Sequence, residues 1–187
     1  YYYSIDPADF QARVESFGPG FDFDYCLRET RTILDKYNDL DWLDVARHLS
    51  GLALIARPQS LTAKLMHARV RLRLGERDEA ISLLEDARGP AIPERFASND
   101  DQDSWYTVSQ LLGDLYLETG EPAKAVACLN DFRRSAKSGA KTWFKLAQAY
   151  EALGDLARAR KCYGQAAAYD GNPYAGPALE ALSRLEG

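Results

Sequence analysis

The chain is poor in the residues that build metal centres and disulfide frameworks. Its 187 residues include two histidines and three cysteines. His48 and His67 have no cysteine or histidine neighbour in sequence, and Cys26, Cys128 and Cys162 match no ligand spacing. Neither a metal nor any other cofactor is therefore expected. An odd cysteine count also argues against a disulfide framework. Positive charge is not in excess: 23 Lys and Arg stand against 28 Asp and Glu, a net charge of −5 with the signs interspersed. That pattern excludes the basic footprint of a nucleic-acid binder and a polybasic membrane anchor. No apolar run approaches the roughly 18 residues needed to cross a bilayer, so no membrane insertion is expected. Nucleophile elbow, phosphate-binding glycine loop, dinucleotide fingerprint and zinc motif are all missing, so the expectation is a non-catalytic protein. The chain begins Tyr1-Tyr2-Tyr3 without methionine, which leaves a removed signal or anchor open. A cytoplasmic location is the default.

What the chain has is a soluble composition, 46% hydrophobic and 27% charged, and an internal period. Trp143, Leu146, Ala147 and Tyr150 are followed by Gly154, Ala159, Cys162 and Tyr163. A shift of 34 residues places Ser109, Leu112, Gly113, Tyr116, Gly120, Ala125, Cys128 and Leu129 beneath them. Two weaker copies precede these. One starts at Leu61 with Ala68, Gly75, Ala80, Leu84 and Ala87; the other starts at Leu27 with Ile33, Leu34, Tyr37, Ala46 and Ala53. Small residues recur where two helix backbones must approach, and apolar ones recur at helical spacing, as in Leu146, Ala149, Tyr150 and Leu153. Gly75, Gly120 and Gly154 stand where a first helix should stop, and Asp78, Pro122 and Asp155 where a second should start.

This pattern resembles the tetratricopeptide repeat family. The resemblance implies an all-α, right-handed α-solenoid of antiparallel helix pairs, with four repeats and terminal capping helices. The repeats are expected at 27–60, 61–94, 106–139 and 140–173, with an insertion at 95–105. Residues 1–26 form an N-terminal capping segment, in which Asp6-Pro7 starts a short helix and Gly18-Pro19-Gly20 stops it. Residues 174–187 form a C-terminal capping helix with Leu179, Leu182 and Leu185 on one face. The second repeat departs from the family pattern, carrying His67 and Arg71 in place of leucine and tyrosine.

Members of the family bind peptides or helices on the concave surface lined by each repeat's first helix. Carried onto this sequence, the partner-binding candidates of the first repeat are Arg28, Arg31 and Asp35. The second repeat supplies Leu65, Met66, Arg69 and Arg73, the third Gln110, Asp114 and Leu117, and the fourth Lys141, Phe144, Lys145 and Gln148. A protein or peptide partner with apolar anchors and a few charges would complement that mixture. The lysine and asparagine pattern of chaperone-tail binders is missing, and Asp35 would repel a carboxylate. Self-association through the convex or terminal surfaces is the alternative, with Tyr1–Tyr3, Phe21, Phe23 and Tyr25 as its candidates. A weaker one is an accessory domain of a larger enzyme.

Several other features have cheaper readings. Asp100, Asp101 and Asp103 lack the glycine and glutamate of a calcium loop, so they are expected to solvate the 88–104 loop and favour a helix beginning near Trp105. Asp39, Asp41 and Asp44 are expected to cap a helix. Cys128 and Cys162 are expected to pack as small apolar residues.

Overall fold

The computed structural model describes residues 6–18, 21–169 and 171–186. Among the described residues there are ten helices and no strand, so the fold is all-α. They are α1 (Pro7–Glu15), α2 (Phe23–Lys36), α3 (Leu40–Ala56), α4 (Leu61–Arg73), α5 (Arg77–Arg88), α6 (Asn99–Glu118), α7 (Pro122–Phe132), α8 (Ala140–Ala152), α9 (Leu156–Ala167) and α10 (Ala175–Glu186). Residues 1–91 and 95–104 form one compact unit, and residues 92–94 and 105–187 form a second.

Local signals set the helix ends. The side chains of Asp6, Asp22, Asp39, Ser60 and Asp155 accept hydrogen bonds from the first-turn N–H groups of α1, α2, α3, α4 and α9. Of the three aspartates expected to cap, only Asp39 caps; Asp44 instead pairs with Arg47 at 2.7 Å. The first-repeat helix starts at Phe23, ahead of the expected Leu27, because Asp22 caps it there. Similarly, α6 starts at Asn99 and not near Trp105. Ser98 Oγ accepts from the Asp101 N–H at 3.0 Å, and Asp100 and Asp101 sit in the first turn, where the positive helix end favours carboxylates. The acidic run is thus helical, and the irregular part of the insertion shrinks to 89–98. Tyr1–Tyr3, Pro19 and Gly20 lie outside the described residues.

In the first unit α2 packs on α3, α3 on α4, α4 on α5 and α1 on α3. In the second, α7 packs on α8, α8 on α9 and α9 on α10. This is the α-solenoid kind of architecture, in which consecutive helices turn back on one another. The reversal between α8 and α9 uses Gly154 at φ +76°, a left-handed conformation that lets the Asp155 N–H reach the Tyr150 carbonyl at 2.9 Å.

The small residues at the repeat positions lie in the seams. Ala68, Ala80, Ala125, Ala147 and Ala159 are fully buried. Gly113 on α6 faces Leu129 on α7 so closely that an added Cβ would lie 2.6 Å from Leu129 Cγ. In the second unit Leu146, Tyr150, Cys162 and Tyr163 join Leu129 in one cluster, closed by Ala178 and Ala181 of α10.

These contacts predict opposite outcomes for two glycine substitutions. Gly113→Ala must displace buried Leu129, and overpacking of this kind costs about 1–3 kcal/mol, more than the roughly 1 kcal/mol of helix propensity gained. Gly164 on α9 has no atom within 4 Å of an added Cβ. Gly164→Ala is therefore expected to stabilise by about 0.5–1 kcal/mol. Thermal unfolding of both variants checks the pair, and a stabilising Gly113→Ala would refute the close approach.

Candidate functional site

The first helices of the repeats carry the sequence-predicted residues, and many of those side chains are engaged within the protein. Leu65 and Met66 are each 4% exposed, so the sequence-based candidates there lie in the core and offer no surface. Arg73 of α4 donates to the carbonyls of Leu34 at 3.1 Å and Tyr37 at 2.8 Å, and to the Asn38 side chain. Its guanidinium thereby satisfies the C-terminal end of α2, where unpaired carbonyls and the helix dipole favour a cation. Arg28 pairs with Glu29 at 3.1 Å and lies 5.1 Å over the Tyr25 ring.

On the second unit Asp114 of α6 draws in both lysines of α8. Lys141 Nζ is 3.0 Å from its carboxylate and Lys145 Nζ is 3.9 Å away. Phe144 is half-buried beside Tyr163 and Tyr174, with ring centroids 5.5 and 5.4 Å away. Leu117 is half-buried against the core cluster. Glu151 accepts from the Tyr163 hydroxyl at 2.8 Å and pairs with Arg184 at 2.8 Å. Burial, then the hydrogen bond to Glu151, raises the pKa of that phenol.

What is left open on these helices is a smaller set. Arg31, Asp35 and Arg69 are exposed on α2 and α4. On α6 and α8, Gln148 is exposed, and Gln110, Leu117 and Phe144 are half-exposed.

A second arrangement involves residues outside that set. His67 of α4 is 7% exposed. Arg71 Nε donates to its Nε2 at 3.2 Å, which assigns the ring proton to Nδ1. Nδ1 then donates to Ser50 Oγ at 2.8 Å, and the Ser50 hydroxyl donates to the Ala46 carbonyl at 2.7 Å. Arg71 Nη1 also binds Glu76 at 2.9 Å, and Glu76 takes Arg47 at 3.2 Å. Every ring position is filled by the neutral imidazole, and protonation would set an N–H against the Arg71 N–H. Burial, followed by the positive charge of Arg71, lowers the His67 pKa from 6.5 to about 4. The departure of His67 and Arg71 from the repeat pattern was visible in sequence; their hydrogen-bonded partners on α3 and beyond α4 were not.

The aromatic residues proposed for self-association are partly occupied. Phe21 stacks on Phe17 with centroids 3.6 Å apart, both rings meet Tyr25 edge-on, and Arg57 lies 4.0 Å over Phe23. Cys26, Cys128 and Cys162 are buried thiols, and burial raises the pKa of Cys26 and Cys162, which keeps those two protonated. Among the described residues, no three His, Cys, Asp or Glu groups are placed to hold a metal ion. No helix among them is long and apolar enough to cross a membrane.

Comparison with known proteins agrees with the repeat reading. The tetratricopeptide repeat family model matches residues 111–175. Among solved structures the chain is similar to MamA, with a TM-score of 0.62 and 16% identity over 95% of this chain and 87% of that one. It is likewise similar to MamA from Desulfovibrio magneticus RS-1, with a TM-score of 0.62 and 12% identity over 86% and 93% of the two chains. No curated protein matches the chain by sequence.

The His67 network predicts a pH dependence with a definite sign. The folded pKa lies below the unfolded one, so the unfolded chain takes up the proton first as pH falls. Stability from this group is full above pH 6.5 and is lost as pH falls from 6.5 toward 4. The loss amounts to about 3 kcal/mol by linkage. Urea unfolding of wild type and His67→Leu across that window should show a steeper fall for wild type; parallel curves would refute the buried neutral imidazole.

Proposed function

The chain carries tetratricopeptide repeats in residues 111–175, and from that premise we propose that it is a non-catalytic interaction module. It holds an extended or helical segment of a partner protein against the first helices of its repeats, as a scaffold or assembly factor. The observation that carries this reading is the contrast between engaged and open side chains on those helices. Arg73, Lys141 and Lys145 are held by internal partners, whereas Arg31, Asp35, Arg69 and Gln148 remain exposed. Half-exposed Leu117 and Phe144 supply apolar contact of the kind that anchors a peptide. Burial of Leu65 and Met66 narrows the candidate set, so the open contacts on the first unit are charged. Each open residue sits on a helix fixed by the core beneath it, which spares a partner the entropic cost of ordering the surface.

Affinity capture with the whole chain, followed by titration of the captured partner, tests the reading. Arg31→Glu with Arg69→Glu changes the open face of the first unit, and Gln148→Trp blocks that of the second, without touching the core. At least one should weaken binding about tenfold, a loss of roughly 1.4 kcal/mol. Unchanged affinity in both would place the partner elsewhere.

A second reading, self-association, is favoured by Leu179, which is 56% exposed on α10. Sedimentation of wild type and Leu179→Glu separates the two. If this reading holds, a concentration-dependent increase in mass should vanish in the variant; a monomer throughout would remove it.

A further inference from the structure

The second repeat has given up apolar packing at two positions where its neighbours keep it, and a cleft opens there. The pair is Ile33 and Tyr37 in the first repeat, Leu112 and Tyr116 in the third, and Leu146 and Tyr150 in the fourth. In the second repeat it is His67 and Arg71, and these two side chains line a cleft of about 490 Å³ between α3 and α5. One apolar wall is Leu54 of α3 and the other is Leu83 of α5. Asp78, Glu79 and Ser82 of α5 complete the lining.

The charges around the cleft do not cancel. Arg71 and Arg47 are balanced by Glu76 and Asp44, to which they are bound. Asp78 and Glu79 are exposed and, among the described residues, make no ion pair, so the opening carries two carboxylates over apolar walls. A long aliphatic stem ending in a cation matches both features, because such side chains lay the stem on apolar surface and keep the charge at a polar rim.

We propose that this cleft is a second docking site, distinct from the open first-helix surface, and that it takes a lysine or arginine side chain of a partner protein. The stem lies between Leu54 and Leu83, and the cation meets Asp78 and Glu79. His67 and Arg71 form part of the floor, and Arg71, itself held by Glu76, keeps His67 in place. Asp78 and Glu79 also favour the first turn of α5 through the helix dipole, so the deciding readout is binding and not stability.

The test uses Nα-acetyl-lysine methylamide as the probe, with Nα-acetyl-norleucine methylamide as its uncharged counterpart. Each is titrated into the whole chain with labelled methyl groups, and the Leu54 and Leu83 signals are followed. The lysine probe should give saturable shifts. The norleucine probe, and the Asp78→Asn/Glu79→Gln variant with the lysine probe, should each bind about fivefold more weakly, the weight of one exposed ion pair. His67→Leu/Arg71→Tyr, which restores the pattern of the other repeats, should fill the cleft and lose the shifts while remaining folded. Equal binding of the two probes, equal binding by the charge variant, or no saturation by the lysine probe would each overturn the proposal. None of these readouts involves Arg31, Arg69 or Gln148, so this site can fail while the first-helix reading stands, and the converse.

Discussion

Two helices can bring their backbones together only where at least one carries a side chain no larger than a methyl group. Everything else in this fold depends on that constraint. Ala68, Ala80, Ala125, Ala147 and Ala159 are buried without remainder, and at Gly113 even a methyl group is too much. Once the backbones are close, the apolar faces above and below the seam meet with no gap, and residues such as Leu84, Leu129, Leu146 and Tyr163 become core. A larger residue in the seam would push the whole pair apart. The cost would therefore exceed its own volume, since it would break contacts along both helices.

The seam also determines where binding groups can stand. A helix with one face committed to its pair and its flanks packed on neighbouring helices has little free surface. Polar side chains on that surface are drawn inward wherever a partner is within reach. Arg73 closes the end of α2, Asp114 ties α6 to α8 through Lys141, and Glu151 joins α8 to α9 through Tyr163. These bonds make the surface rigid. They also remove charged residues from the pool available to a ligand, which a helical projection of the sequence does not reveal.

That difference marks what was legible in the sequence. The 34-residue period, the small seam residues and the reversal glycines are local or repetitive signals, and they led to the helix-pair fold without any contact information. Helix starts were less legible, because a capping side chain such as Asp22 or Ser98 competes with neighbouring candidates and only local geometry decides. The binding surface was least legible. Leu65 and Met66 occupy positions that the repeat pattern leaves open, yet each is buried. Burial there depends on which side chains the adjacent elements present, and an exposed leucine and a buried one are written alike.

The second repeat shows how such an array can carry a polar site without losing its fold. Burying a leucine or an aromatic ring contributes about 1.5–3 kcal/mol, so exchanging Leu and Tyr for His and Arg forgoes a substantial apolar term. The Ser50–His67–Arg71–Glu76 chain satisfies the polar atoms but does not replace that term, because a net internal hydrogen bond contributes only about 0.5–1.5 kcal/mol. In a repeat array the deficit falls on one helix pair and its immediate neighbours, and repeats that keep the apolar pair retain their own cores. An apolar or aromatic pair was available at both positions, as three other repeats demonstrate, and in the third and fourth repeats both members are buried. A hydrogen-bonded histidine and arginine beside an open cleft is therefore better explained by what the cleft receives than by any gain in stability.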